Sequence, residues 1–141
     1  MKFSEFNVGD TFTTQKVTLT KQDIIDFANQ YDPQYFHINE SAANKSPYGS
    51  IIASGFQTLS VVWAEWIKMD ILGTDCLGGI GAEIKWTKPV KPNDQLYGKF
   101  TVIEKKASSD NLRGLVTFEI IISNQKQEVV LEGASKIYIA N

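Results

Sequence analysis

Asp32 and His37 pair a carboxylate with the only imidazole in the chain, five residues apart. A carboxylate and an imidazole that share one water make a base and acid pair suited to neutral pH. Because there is one histidine, any mechanism that needs an imidazole must use His37. Spacing alone does not join the two side chains, since five extended residues span about 17 Å. A structural alternative is simpler: an Asp before Pro33 commonly starts a turn, and a lone His between Phe36 and Ile38 is commonly a hydrogen-bonded structural residue.

Ser54-Gly55-Phe56 supplies a third element, because it reads as the start of a long helix. Unpaired N–H groups at such a start carry partial positive charge and can hold a developing oxyanion, and a glycine lets a ligand approach the backbone. Tight packing against the sheet explains Gly55 equally well. Other candidates carry less. Gly78-Gly79-Ile80-Gly81 lacks the spacing and setting of a phosphate loop and reads as a turn entering a strand. Trp63 and Trp66 share an apolar stripe and read as core. Lys45, Lys85, Lys88 and Lys91 could meet phosphates, but scattered lysines are usually solvated.

The elements that must position these groups can be read from pattern. Val8-Gly9-Asp10 is a turn, and Thr11 to Leu19 alternates as a strand. Thr20 stands three residues ahead of Asp23, and Ile24, Phe27, Ala28 and Tyr31 recur at helical spacing. That helix should stop near Asp32, because Pro33 disfavours helical backbone in the residue before it, leaving Asp32 to Ile38 as loop or turn. Asn39 is placed to cap a short helix through Ala43. The main helix then runs from a Ser54 cap, with Gln57 completing a capping box, to near Asp70. Phe56, Leu59, Trp63, Trp66 and Ile67 trace its apolar stripe, predicted to be largely buried.

From Leu77 the character changes to strands: Gly79 to Trp86, Gln95 to Lys106, Arg113 to Ser123 and Lys126 to Ile139. They read as a β meander, with Asn124-Gln125 a tight hairpin and Gly133 a bulge in the last strand. Strands on one side and one apolar helix on the other predict an α+β layer, an antiparallel sheet wrapped around a long central helix.

Composition bounds the rest. A chain of 141 residues fits one domain, spanning residues 1–141, with ordinary globular usage at 43% hydrophobic and 21% charged residues. A net charge of -2 gives no general attraction to nucleic acid. One Cys and one His make structural zinc a poor expectation, and Cys76 has no intrachain disulfide partner. Apolar runs such as Leu115 to Ile122 fall short of the roughly 20 residues that span a bilayer, and the N-terminus lacks the apolar core of a secretory signal. The expected setting is cytoplasmic, away from membranes.

Residues 31–60, YDPQYFHINESAANKSPYGSIIASGFQTLS, resemble the signature region of the MaoC-like dehydratase family, which includes the R-specific enoyl-CoA hydratases. Val8-Gly9-Asp10 and the turn from Trp86 to Asp94 fit the same family. The resemblance implies a hotdog fold, pairing as dimers, and no metal or other cofactor. It places the acid and imidazole on Asp32 and His37 and the binding of the thioester carbonyl on Gly55. Gln34 stands where hydratases of this kind often have Asn, and Asn93 where the late turn often has Gly. The implied reaction interconverts trans-2-enoyl and (R)-3-hydroxyacyl thioesters, carried on CoA or on acyl carrier protein. Two alternatives stay open: a hotdog acyl-CoA thioesterase and a non-catalytic acyl-thioester binding protein.

Overall fold

A computed structural model describes all of residues 1–141. Strands β1 (Thr11–Thr13) and β2 (Val17–Thr18) precede helices α1 (Lys21–Tyr31), α2 (Tyr35–Ile38), α3 (Glu40–Asn44) and α4 (Gly55–Lys68). Strands β3 (Cys76–Trp86), β4 (Gln95–Ala107), β5 (Arg113–Ser123) and β6 (Val129–Ala140) complete the chain. The sheet is antiparallel in the order β1-β4-β5-β6-β3, with β2 also paired to β4. No helix is long and apolar enough to cross a membrane.

One face of this sheet packs on α4. Trp66 is buried at its centre, stacked on Phe100 with ring centroids 4.5 Å apart and planes 7° apart. Phe118 meets the same indole edge-on at 5.4 Å, and Phe12 lies tilted at 5.5 Å. Val62 is buried one turn earlier, and Phe100, Val102, Phe118, Ile120 and Ile139 line the sheet's inner face. Complete burial of a side chain this size contributes at least about 2–3 kcal/mol, so the fold is anchored here.

Several local expectations are corrected. The first strand breaks at Thr14, whose hydroxyl accepts from Gly98 N–H, so β1 and β2 are separate short pairings with β4. Within the stretch expected as loop or turn, residues 35–38 form one turn of α-helix. The strands do not form a single meander: β4, β5 and β6 do, but β3 pairs with β6 at the far edge. The glycines Gly78 to Gly81 lie inside β3 at its two register shifts, not in a turn before it. Gly133 sits in regular register opposite Ile84 and Ile120; it is glycine because a Cβ there would run into the Glu83 carbonyl. The Asn124 connection is a five-residue turn closed by Asn124 N–H to Glu128 O rather than a tight hairpin. The α4 stripe is only partly buried, with Phe56 59% and Ile67 47% exposed.

Candidate active site

The C-terminus of α1 sets the first group. Thr20 and Asp23 cap the helix reciprocally, as their spacing predicts, and the helix ends at Asp32 just before Pro33. Asp32 takes φ -157° and ψ 67°, which turns the chain out of the helix. The single turn of α2 then brings His37 back beside it, 3.3 Å from His37 Nε2 to Asp32 Oδ2. The two sequence-predicted residues are therefore adjacent, and the fold supplies what spacing alone did not.

His37 is 4% exposed and its other ring nitrogen is committed. Nδ1 lies 2.6 Å from the carbonyl oxygen of Ile52, which can only accept, so Nδ1 carries the hydrogen and Nε2 is the nitrogen free to exchange one. Ile52 is itself fixed, because its N–H donates to Phe36 O and the next N–H, of Ala53, donates to Val90 O. This buried extended segment binds α2 to the loop after β3 and leads directly into α4. Phe36 braces the imidazole edge-on at 4.6 Å.

The carboxylate is held as firmly. Ser54 Oγ donates to Asp32 Oδ2 at 2.7 Å, and Gln34 Nε2 donates to Oδ1 at 2.7 Å. Burial pushes the Asp32 carboxyl up, but the Ser54 hydroxyl, the Gln34 amide and the His37 ring outweigh it and hold it below its ordinary value of 3.8. Asp32 is therefore a stable anion beside the imidazole. Gln34 thus supports the carboxylate directly. Asn93, also noted as a departure, adopts φ 70°, a backbone that asparagine tolerates better than most residues other than glycine.

Ser54 links this pair to the start of α4. Its Oγ accepts from Phe56 N–H at 3.3 Å, and its carbonyl accepts from Gln57 and Thr58 N–H. The expected Ser54–Gln57 capping box is absent, because the Gln57 amide instead donates to Asp23 O and ties α4 to α1. Of the first four N–H groups of the helix, that of Gly55 alone has no acceptor in the protein. Gly55 lines a cavity of about 290 Å³ whose wall also includes His37, Tyr48, Thr58, Trp86 and Lys88. Asp32, with a side chain 15% exposed, flanks this space through the His37 ring and the Ser54 hydroxyl.

Gly55 is also a packing glycine. A Cβ there would run into the pyrrole edge of the Trp86 indole, so the collision is with a side chain at the end of β3. Trp86 was missed as a site residue by sequence reasoning. The available signal was its place immediately before the Thr87-Lys88-Pro89 turn, but its approach to Gly55 joins residues 31 apart in sequence. The other sequence candidates lie elsewhere or are engaged. Trp66 is core, Trp63 is half-buried beside a second cavity, and Lys88 pairs with Glu128.

Comparison with known proteins places this geometry among relatives. The model of the MaoC like domain matches residues 4–123. The chain is 36% identical to the uncharacterized protein YdeM of Bacillus subtilis over 140 residues, 99% of each. Its structure is similar to that of a MaoC-like dehydratase from Rhodospirillum rubrum, with a TM-score of 0.94, 29% identity and coverage of 100% of this chain and 97% of that one. It also shares the fold of R-hydratase PhaJ1 from Pseudomonas aeruginosa, with a TM-score of 0.79 at 21% identity over 99% and 86% of the two chains. With a helix wrapped by an antiparallel sheet and a family match across most of its length, the chain is a hotdog-fold member of the MaoC-like dehydratase family.

Proposed function

We propose that the chain interconverts trans-2-enoyl and (R)-3-hydroxyacyl thioesters, with Asp32 and His37 handling one water and Gly55 N–H receiving the thioester oxygen. The observation that carries this reading is that His37 and Gly55 line one cavity, with the Asp32 carboxylate 3.3 Å from His37 Nε2 and the Gly55 N–H without an acceptor in the protein.

In hydration, a water between Asp32 Oδ2 and His37 Nε2 attacks the β-carbon. The partners of Asp32 hold its carboxyl low and make it a poor base, so His37 Nε2 takes the proton while Asp32 orients the water and balances the imidazolium. Electrons move through the double bond to the thioester oxygen, where the Gly55 N–H and the α4 dipole meet the charge. Return of the proton from His37 to the α-carbon completes the addition of one water, and dehydration is the reverse. Hydroxyl and hydrogen reach the substrate from the same wall, so they add to one face. No metal or redox group enters these steps.

The acyl thioester, on CoA or on acyl carrier protein, is the partner this chemistry needs. A homodimer is the expected assembly, because β3 leaves an unpaired edge carrying exposed Leu77 and Ile80, and Phe56 and Ile67 of α4 are exposed as well. Sedimentation should give twice the chain mass of 15.8 kDa, and a monomer at micromolar concentration would remove this part of the reading.

The reaction class is tested by following crotonyl-CoA in two channels at once, loss of the conjugated enoyl absorbance and release of free thiol. Hydration removes the first without the second. Thiol release at the rate of substrate loss would assign a thioesterase, and no turnover with retained binding would assign a binding protein.

A further inference from the structure

We propose that the indole N–H of Trp86 is a second donor to the thioester oxygen beside Gly55 N–H, an inference that rests on the hydratase reading of this cavity. Three features meet at Trp86. Its side chain lines the same cavity as His37 and Gly55. The indole atoms facing Gly55 are Nε1, Cε2 and Cδ1, so the edge that carries the N–H lies against the helix start. Finally, Nε1 donates to no acceptor in the protein, and Trp86 is 47% exposed at the end of an edge strand.

Proximity follows from covalent geometry. Nε1 is the indole atom nearest the place a Gly55 Cβ would occupy. That place and the Gly55 nitrogen are bonded to one Cα, about 2.5 Å apart. With Nε1 2.2 Å from that place, the two nitrogens lie within about 5 Å of each other, a spacing at which one oxygen accepts from both when their N–H bonds converge on it. Phe56 holds the indole in place, its ring edge-on at 5.2 Å and 72°.

This arrangement unites the two explanations of Gly55. The residue is glycine because the indole packs against it, and that packing puts a side-chain donor beside the backbone one. Hydration builds negative charge on the thioester oxygen while the β-carbon is attacked, and a second fixed donor stabilises that charge most where it is greatest. Trp86 should therefore act more on kcat than on KM.

The decisive experiment compares wild type with Trp86→Phe, which keeps an aromatic ring and removes the donor. Acetoacetyl-CoA serves as the probe, because its bound enolate carries the same oxyanion and has its own ultraviolet band. The enolate-to-keto ratio of the bound probe should fall about tenfold or more in the variant, with probe affinity within about threefold and crotonyl-CoA kcat reduced to a similar extent. Gly55→Ala, which displaces the indole, should lower the ratio in the same direction and serves if Trp86→Phe does not fold. An unchanged ratio in a folded variant, or no excess of enolate on wild type, would overturn the role of Trp86. Failure of wild type to hydrate crotonyl-CoA would instead remove the hydratase reading, while the enolate ratio still decides whether the indole is a donor.

Discussion

The two ends of α4 are built on different principles. Around Trp66 the helix is held by shape: a stacked ring, two further aromatic contacts and no hydrogen bond from the indole nitrogen, which is buried without a partner. Around Ser54 it is held by direction. Ser54, Gln34 and Ile52 each commit a polar atom to Asp32 or His37 at 2.6–2.7 Å, and the Gly55 N–H is left over. Packing energy is generous but tolerant of small displacements, whereas a hydrogen-bonded pair is useful only in one geometry. The first end pins the helix so that the second can be exact, and changes at the two ends should have separable consequences.

The largest expected effect is on stability at the packed end. Trp66→Ala should lose about 3–5 kcal/mol, read from denaturant unfolding, with turnover per folded molecule nearly unchanged at low temperature. A comparable loss of turnover in the folded fraction would mean that the two ends are not separable. Next, Gly55→Ala should cost about 1–3 kcal/mol through its collision with Trp86, and turnover should fall with it. Adding Trp86→Ala to that variant should restore most of the stability but not the activity. Recovery of both, with the N–H of residue 55 still in place, would remove the donor role of Trp86.

Ser54→Ala is a smaller and more informative change. It removes a cap worth about 1 kcal/mol and one of the bonds that hold the Asp32 carboxyl low. The Asp32 pKa should rise, so its carboxyl, followed by NMR, should protonate at a higher pH than in wild type as the solution is acidified. Stability follows the same sign. A carboxyl whose folded pKa lies below its unfolded value near 3.8 stabilises the protein above that value and loses the contribution as pH falls through the lower folded value. The variant should therefore show a shallower loss of stability below about pH 4. An unshifted carboxyl titration would mean that Ser54 does not set the ionisation of Asp32.

The same contrast explains what was legible in the sequence. Strand β5 lies at Arg113–Ser123 where the turn-rich clusters on either side place it, and α1 starts and stops where Thr20, Asp23 and Pro33 place it, because those signals act between near neighbours. The position of β3 beside β6 was not legible, since pairing between distant strands leaves no local mark. Nor was the extent of burial along α4: Phe56 and Ile67 join the apolar stripe by spacing but remain exposed. In the site, residue type identified Asp32 and His37. Their approach depends on α2, four residues too short to show a period, and on Ser54 and Ile52 reached across 22 and 15 positions. The Gly55 glycine was visible, but its neighbour Trp86 was not.

The central claim, that Asp32 and His37 perform the hydration chemistry, is tested most directly by the crotonyl-CoA hydration rate of Asp32→Asn measured beside its unfolding curve. The substitution keeps the shape and the hydrogen-bond acceptor for Ser54 while removing the charge that accompanies the His37 imidazolium. The account predicts at least about a hundredfold loss of kcat with the fold intact, and a similar loss for His37→Gln. A folded Asp32→Asn protein that hydrates crotonyl-CoA at close to the wild-type rate would contradict it.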